Sequence, residues 1–271
     1  MTIISQLDEL TVLAFALALA GSSLILRLVT KRASIVVLLV AAGAGLAFGP
    51  PGVGFVAGVI FASSLVTLYK YSAKSGVKIA EGNHGARGFW KVLAASAAGG
   101  IAAWLALSGI LSTQLGKMAF VAALGTVVSD TFASELGVLS KKKPRLIVPP
   151  WATVESGVSG AVSILGEIAG LAGVMLALGM AVLAALLPTL KLALVVGLSI
   201  VSAEHLDSLL GSTAQEAYYC TKCSVLTDSH VHDCGCKTSL VRGNVLVSNS
   251  LVNLISTSTS SVLAIILFIV L

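Results

Sequence analysis

The chain alternates long apolar segments with short polar ones. Apolar runs of roughly 20 residues recur, and each is long enough to cross the hydrocarbon core of a bilayer as a helix. "GPPG" at 49–52 predicts a tight turn between two such runs, and Pro188 divides a long run into two. The pattern predicts an all-α, polytopic transmembrane helical bundle of about eight spans. We expect these spans at 8–29, 35–49, 52–69, 89–111, 118–138, 158–186, 190–211 and 246–271.

Composition agrees with a membrane-embedded chain. Of the 271 residues, 56% are hydrophobic and 11% are charged, whereas a soluble domain carries about 25% charged residues. The first residues lack a basic region and include Asp8 and Glu9, which argues against a secretory signal peptide. Residues 1–271 are therefore expected to form a single integral membrane domain. The net charge of +5 comes without a basic–aromatic surface pattern, so the expected partner is the lipid bilayer and not a nucleic acid.

Basic residues fall on one side of the predicted topology. With the amino terminus outside, 15 of the 17 lysines and arginines lie in cytoplasmic segments, and only Lys117 and Lys191 do not. A wrong number of spans would scatter these charges. We therefore expect a multi-pass protein of the cell membrane with both termini outside. Its active site should lie on the cytoplasmic face, where the longer connections are.

Polar residues within the spans cluster near that face. They are Asp130, Ser134 and Glu135 in the fifth span, Glu204 and Asp207 in the seventh, and Asn249 and Asn253 in the eighth. The small residues of "SGVSGAVS" (156–163) open the sixth span and permit close approach of backbone or ligand. Carboxylates beside basic residues and a Gly/Ser-rich helix start suit a phosphate–Mg²⁺ ligand. Two alternatives stay open: pairing with interfacial Lys or Arg, and the ion pathway of a coupled transporter.

The start of the fourth span supplies two further basic residues. Arg87 and Lys91 lie four residues apart, so they share a helix face and would bind a phosphate or a nucleotide. The alternative is a topology anchor beside the interfacial Trp90. The absence of GxxxxGK(S/T) argues against a P-loop kinase, and neither a G-x-S-x-G elbow nor an H-E-x-x-H motif occurs.

All cysteines of the chain lie in the predicted cytoplasmic loop at 212–245. They are Cys220 and Cys223, which form a C-x-x-C pair, and Cys234 and Cys236. A cytosolic loop is reducing, so this spacing favours a zinc knuckle over disulfides or free thiols. His232 is the alternative to Cys236 as fourth ligand, because the C-x-C half is tight. A structural Zn²⁺ would fasten the loop and hold the seventh span relative to the eighth.

Five motifs occur in a fixed order. They are "SDTFASELGVLSKKKPRLI", "SGAVSILG", "DSLLGSTAQ", "VRG" and "NSLVN". Their order and spacing resemble the integral membrane family that includes the plant phytyl-phosphate kinase of vitamin E synthesis. The resemblance runs from about Glu81 to the carboxyl terminus, and the cysteine-rich insert is similar to that of prokaryotic, archaeal-type members. It implies a CTP-dependent polyprenyl- or phytyl-phosphate kinase, which transfers a phosphoryl group from a nucleoside triphosphate to a prenyl phosphate such as phytyl or geranylgeranyl phosphate.

The resemblance also points to site residues. It carries over to Asp130, Ser134, Glu135, Pro144, Arg145, Gly160, Ser163, Asp207, Gly211, Gln215, Arg242, Asn249 and Asn253. The chain departs from the family's usual pattern at Phe132, where Trp is usual, at Val158-Ser159-Gly160 in place of Thr-Asn-Gly, and at Ser96-Ala97 in place of Asn-Gly. The last two departures affect candidate phosphate contacts.

The residues divide into expected roles. The expected Mg²⁺ ligands are Asp130, Glu135, Glu204 and Asp207. Those expected to act in catalysis are Asp130, Glu135, Asp207 and Arg145. Those expected to bind substrate or phosphate are Arg87, Lys91, Ser134, Ser159, Gly160, Ser163, Gln215, Arg242, Asn249 and Asn253. Glu135 lies about 140° around the helix from Asp130, so the two would serve different metal ions, or only one would be a ligand.

Two other functions stay open at the level of sequence. A CTP-dependent lipid-phosphate cytidylyltransferase would use the same groups, but its product would retain CMP. A membrane transporter or flippase would need polar residues that continue to the outer face, and the first three spans offer almost none. The sequence predicts no oligomeric state.

Overall fold

The computed structural model describes residues 3–75, 86–227, 230–232 and 234–271. Within these residues, 8 helices are long and apolar enough to cross a membrane. They are α1 (Ile3–Ile25), α2 (Lys31–Phe48), α3 (Pro50–Leu68), α5 (Phe89–Leu107), α6 (Thr113–Gly137), α7 (Ile164–Leu183), α8 (Leu190–Thr213) and α9 (Asn249–Val270), with the short α4 (Tyr71–Ser75) after α3. The predicted α-helical bundle of eight spans is confirmed.

The start of the sixth span differs from the prediction. "SGVSGAVS" does not open a helix, because Gly157 and Gly160 have φ angles of 95° and 75°, which a right-handed helix cannot contain. The segment instead forms turns and a two-residue strand, β2 (Ala161–Val162), which pairs antiparallel with β1 (Arg145–Leu146). α7 begins only after Ser163. The small residues serve a close approach of loop to helix and not the opening of a span.

Helix ends carry residues suited to them. Gly49, with φ 74°, ends α2, and two prolines begin α3, as "GPPG" predicted. Ser or Thr caps four later helices, where the side-chain oxygen accepts a backbone N–H bond of the first turn. These caps are Ser112 for α6, Ser163 for α7, Thr189 for α8 and Ser248 for α9. Each cap satisfies a backbone donor of the first turn that has no partner within its own helix.

α6 is the central helix of the bundle. It contacts α3, α5, α7, α8 and α9, and it is the most deeply buried of the eight spans. Phe120 lies at its core, with ring centroids 5.3 Å from Phe48 and 5.6 Å from Phe55. Polar side chains in the second half of α6 therefore face protein or an internal cavity, except that of Ser134, which is exposed.

Four connections meet at one end of the bundle, which we call the basic face. They follow α1, α3, α6 and α8, and the last contains a three-stranded antiparallel sheet. Its strands, in sheet order, are β4 (Val225–Thr227), β3 (Ala217–Cys220) and β5 (Ser239–Arg242). Lys117 and Lys191 lie near the starts of α6 and α8, at the opposite end, so the charge distribution agrees with the predicted alternation of spans. Lys78, on the connection after α3, lies outside the described residues.

Candidate active site

A cavity extends from the basic face into the bundle, among α2, α3, α5, α6, α8 and α9. Its volume is about 890 Å³, including the open mouth. At 1.5 Å per residue, Val56 on its deep wall lies about 18 Å from the basic-face end of α3, and Asp130 about 10 Å from that end of α6. The cavity therefore reaches the middle of a hydrocarbon core about 30 Å thick.

The cavity is apolar at depth and charged near its mouth. The deep walls are formed by Val37, Val40, Val56, Val59, Ile60, Leu124 and Val127. The charged and amide groups are those of Arg87, Lys91, Asp130, Asp207 and Asn253. These five predicted site residues come together although they are far apart in the sequence. An apolar chamber with a charged end is complementary in shape and polarity to an amphiphile that has an apolar tail and a charged head group.

The two cavity carboxylates belong to neighbouring helices. Asp207 of α8 accepts a hydrogen bond from Ser256 Oγ of α9 on its Oδ2 atom, at 3.1 Å. Asn253 donates to the same oxygen at 3.3 Å when its side-chain nitrogen faces the carboxylate. Both donors reach Oδ2, so α9 orients the Asp207 carboxylate from one side. Asp130 of α6 interacts electrostatically with Lys91 and Arg87.

Arg87 is held by two segments at the cavity mouth. Its backbone N–H donates to Leu28 O at 2.9 Å, and its carbonyl accepts from Thr30 N at 3.1 Å, which ties it to the connection between α1 and α2. Its guanidinium donates to Thr67 Oγ1 of α3 at 3.3 Å. A second pocket shares Leu28 and Arg87 with the cavity. The charged end is therefore continuous with the basic face.

Glu135 is not brought to the cavity. Its carboxylate accepts from Lys74 Nζ at 2.6 Å, and both side chains are buried. Lys74 also donates to the carbonyls of Val66 and Thr67 at 2.7 and 2.8 Å, at the end of α3. The helical spacing of Asp130 and Glu135 points their side chains in different directions. Glu135 therefore faces away from the cavity, and its bond to Lys74 joins α6 to α4. The expected role of Glu135 as a Mg²⁺ ligand of this site gains no geometric support.

Glu204 also lies away from the cavity. Its carboxylate accepts a short hydrogen bond from Ser129 Oγ of α6 and packs against Gly170 of α7, where a side chain would collide with it. Ser129 donates to Gly170 O as well, at 3.1 Å. Glu204 therefore joins α6, α7 and α8, which is the role of a buried helix-packing group.

Four further predicted phosphate ligands form a separate cluster, which we call the clamp: Ser159, Gly160, Gln215 and Arg242. Gln215 Nε2 donates to Ser159 Oγ at 2.7 Å. Arg242 Nη2 donates to the carbonyls of Ser159 and Gly211, each at 2.9 Å. A Cβ on Gly160 would collide with the backbone of Gly211 and Ser212. The clamp joins the connection after α6, the end of α8 and β5, and it does not line the cavity.

The remaining predicted residues have local roles. Ser134 Oγ donates to Thr131 O of its own helix at 3.3 Å, and Ser163 caps α7 while donating to Gly137 O at 3.1 Å. Asn249 is the first residue of α9. Arg145 is exposed on β1. None of these side chains lines the cavity, so the expected phosphate or catalytic roles of the set find no geometric support there.

The sequence analysis missed several polar cavity residues. They are Ser64, Ser96, Thr126, Thr131, Ser256 and Thr257. Ser256 belongs to a stripe on α9 at helical spacing, Asn249, Asn253, Ser256 and Ser260, and that period could have identified it. Lys74 had no such signal, since a lysine in a short connection resembles an ordinary topology charge.

The cysteine loop forms a second cluster of reactive groups. The ligand atoms of Cys220, Cys223, His232 and Cys234 all lie within 4.8 Å of one another. Among the described residues, no other group of three or more potential metal ligands comes together in this way. A hydrogen bond from His232 lowers the pKa of the Cys234 thiol to about 6. Cys236 is outside the group. Of the two predicted ligand sets, the geometry therefore favours the one with His232.

Comparisons with known proteins agree with this architecture. The profile of the family described as "Integral membrane protein DUF92" matches residues 14–261. An uncharacterized membrane protein of Methanocaldococcus jannaschii is 39% identical over 71 residues, 26% of this chain and 29% of the relative. The chloroplastic protein VTE6 of Arabidopsis thaliana is 34% identical over 128 residues, 46% of this chain and 38% of the relative. The matches thus span well under half of either relative's length. No solved structure matches the chain.

Proposed function

The chain belongs to the integral membrane family DUF92, and from that premise we propose that it is an isoprenyl-monophosphate kinase. The family match bears out the resemblance carried by the five motifs. The plant relative found by comparison is VTE6 of Arabidopsis thaliana. The observation that carries the proposal is the cavity, in which Arg87 and Lys91 face Asp130 and Asp207 at the end of an apolar chamber.

The acceptor follows from the two ends of the cavity. A prenyl tail would lie between the valine walls of α2 and α3, where its burial removes apolar surface from the lipid headgroup region and from water. Its phosphate would then reach the level of Lys91 and Arg87. Arg binds phosphate oxygens through two parallel N–H bonds, and Lys supplies a compact positive charge. Prenyl tails of different length would place the phosphate at the same level and would differ only in how much of the apolar chamber they occupy.

The carboxylates suit a donor phosphate with its metal ion. Mg²⁺ commonly takes one or two protein carboxylates and completes its shell with water and substrate phosphates, and Asp130 and Asp207 supply two carboxylates to one cavity. Bound there, Mg²⁺ would neutralise the charge of the donor phosphates. Ser256 and Asn253 would hold the Asp207 carboxylate in place through its Oδ2 atom. Glu135 and Glu204 are engaged elsewhere and are not needed.

The transfer needs little more than alignment. An oxygen of the prenyl phosphate attacks the γ-phosphorus of the donor, the bond from that phosphorus to the β–γ bridging oxygen breaks, and the nucleoside diphosphate leaves with the electron pair. A phosphate monoester is largely ionised near neutral pH, so no general base is required. Lys91 and Arg87 would screen the repulsion between the two phosphates, which is the main barrier to their approach.

The donor would enter from the basic face. The second pocket beside the cavity is lined by Arg27 and shares Arg87 with it, so cationic groups continue from the mouth to solvent. CTP is the donor that the family resemblance favours. We propose that the basic face is the cytoplasmic face of the cell membrane, with both termini outside, because nucleoside triphosphates are on that side and the positive-inside rule requires it.

The proposed kinase competes with two other functions. A lipid-phosphate cytidylyltransferase would use the same cavity and is separated from the kinase only by its product. A transporter would need a polar path to the opposite face. Below the cavity, Ser260 and Ser261 of α9 donate to Ala122 O and Ala119 O at 3.1 and 2.9 Å, so they join helices and do not line a path. That observation favours an enzyme over a transporter.

The deciding experiment follows the label of the donor. Purified protein in detergent is incubated with Mg²⁺, a panel of nucleoside triphosphates and geranylgeranyl phosphate, and the lipid products are separated. The kinase predicts that label from the γ-position appears in a lipid diphosphate and that label from the α-position does not. Transfer of the α-label with release of pyrophosphate would establish the cytidylyltransferase instead.

Two aspartate variants localise the activity. Asp130→Asn preserves shape and removes a cavity charge, so it should abolish transfer. Asp8→Asn makes the same change at an exposed position near the opposite end of the bundle and should leave transfer intact. Equal activity of the two variants, or folded protein without turnover on any prenyl phosphate, would overturn the proposed function.

A further inference from the structure

We propose that the connection between α8 and α9 holds one structural zinc ion through Cys220, Cys223, His232 and Cys234, with Cys236 outside the coordination shell. This site is independent of the proposed kinase activity. Three thiolates and one imidazole form a common closed donor set for Zn²⁺, and such a set leaves no position open for substrate.

The distances between ligand atoms fit a tetrahedral ion. Zn–S bonds of about 2.3 Å and Zn–N bonds of about 2.0 Å separate two sulfurs by about 3.8 Å and a sulfur from a nitrogen by about 3.5 Å. Cys220 Sγ lies 3.6 Å from Cys234 Sγ, and His232 Nδ1 lies 3.4 Å from Cys234 Sγ. A disulfide would need sulfurs about 2.0 Å apart, so these thiols are arranged around a common centre and not bonded in pairs.

Cys236 has a different part in the cluster. Its carbonyl accepts from His232 N at 2.9 Å, and its backbone N–H donates to the Cys234 sulfur. It therefore closes the turn that carries two of the ligands. A backbone N–H on a ligand sulfur is a usual outer partner of a metal thiolate. Cys236 therefore serves as a control cysteine that lies two residues from the proposed ligand Cys234.

Two of the three strands in the sheet that carries the ligands bury little apolar surface, whereas most of the central strand β3 is buried. The side chains of β4 are half-buried, and those of Ser239, Leu240 and Val241 on β5 are exposed. Ring stacking of Tyr218 on His230, with centroids 4.4 Å apart, is a small contribution. A fold element with so small a core is commonly held by a metal ion or a covalent cross-link.

The zinc site would act on the membrane region through the clamp. β3 and β5 pair at Ala217 and Arg242, and Arg242 donates to Gly211 O at the end of α8. Glu216 N donates to Val247 O at 3.1 Å, just before α9. The ion would thus fix the relative positions of the two helices that carry Asp207 and its hydrogen-bond donors. Its role is to position these helices.

The test measures metal content and does not depend on kinase activity. Full-length protein is purified in detergent without chelators, and zinc is quantified by mass spectrometry. We expect about one zinc per chain in the wild type and in Cys236→Ser, and little zinc in His232→Ala and Cys234→Ser. Loss of zinc from Cys236→Ser with retention in His232→Ala would overturn the ligand set. Folded wild-type protein without stoichiometric zinc would overturn the site.

A second measurement avoids variants that fail to fold. Wild-type protein is treated briefly with N-ethylmaleimide, with and without prior chelation, and labelled cysteines are identified by mass spectrometry. Cys223 is exposed and Cys236 is only partly exposed, so without a metal Cys223 should react before Cys236. Zinc reverses that order, because it protects Cys223 and leaves Cys236 reactive. Preferential labelling of Cys223 in unchelated protein would contradict the proposal.

Discussion

The cavity and the cysteine loop collect their functional groups in opposite ways. The charged end of the cavity takes Arg87, Lys91, Asp130, Asp207 and Asn253 from four helices and a preceding loop, and no short segment supplies more than two of them. The four potential metal ligands of the cysteine loop lie between positions 220 and 234, within one short segment of the chain.

This difference decides which contacts each region depends on. Ligands that are close in sequence can be brought together by turns, and a bound ion can supply the missing core. A cavity between helices exists only if all of its walls are held apart and in register. The two regions should therefore respond differently to mutation: the cavity to distant packing and buried charges, and the loop to its own ligands.

The largest expected effect comes from the buried ion pair that supports the cavity wall. Lys74→Met leaves Glu135 charged and buried without its partner, which should lower the free energy of unfolding by about 3–5 kcal/mol. Thermal unfolding in detergent measures it. Lys143→Met, whose partner Glu155 is exposed, should cost less than about 1 kcal/mol.

A double variant separates charge from packing. If the penalty of Lys74→Met comes from the stranded carboxylate, adding Glu135→Leu should recover most of the lost stability. A double variant as unstable as Lys74→Met alone would show that the lysine acts through its bonds to the α3 carbonyls. Zinc content should be unchanged in Lys74→Met, in Lys143→Met and in the double variant, because the cavity and the cysteine loop are expected to be independent of each other.

The next largest effect is on catalysis. Asp207→Asn removes one of the two cavity carboxylates and should lower kcat by roughly 100-fold or more, as for the loss of one preorganised charge-stabilising group. Single-turnover assays with labelled donor measure the change. The same variant should keep wild-type zinc content. Loss of zinc together with activity would mean that the cavity and the loop form one unit, and the contrast between them would fail.

A smaller effect is expected at the clamp, which links the two regions. Gly160→Ala forces a side chain into a residue with φ 75° and against the backbone of Gly211, and should destabilise the protein by about 2 kcal/mol. Gly54→Ala is the control, since a Cβ there meets no atom within 4 Å and the site is helical. Equal melting temperatures for both variants would show that the clamp does not constrain the fold.

The smallest effect tests the orientation of Asp207. Ser256→Ala removes a hydrogen bond worth about 1 kcal/mol and should slow transfer roughly fivefold with little change in KM for the donor. Ser260→Ala, about one turn further along α9, removes a bond to Ala122 O and should alter stability without altering turnover. A fivefold loss in both variants would assign the effect to helix packing.

Some predicted residues could not have been placed correctly from the sequence. Asp130 and Glu135 share a short segment, but their directions on the helix decide that one faces the cavity and the other meets Lys74. Gln215 and Arg242 match the motifs and Ser159 departs from the usual Asn, yet the hydrogen bonds of all three satisfy backbone and side-chain groups of one another. Motif membership identified residues with constrained roles, and only their neighbours distinguish a ligand contact from a structural one.

Sequence alone determined the eight spans, the charged end of the bundle and the grouping of all cysteines in one loop. Apolar run length, the side on which basic residues fall and the spacing of thiols are local properties, on which a membrane and a metal ion would act directly. Only the tertiary structure decided that two carboxylates and two cations share a cavity, that Glu135 and Glu204 hold helices together, and that His232, and not Cys236, belongs to the group of potential metal ligands. Those outcomes depend on helix rotation and on contacts between residues far apart in the chain, for which no sequence period exists.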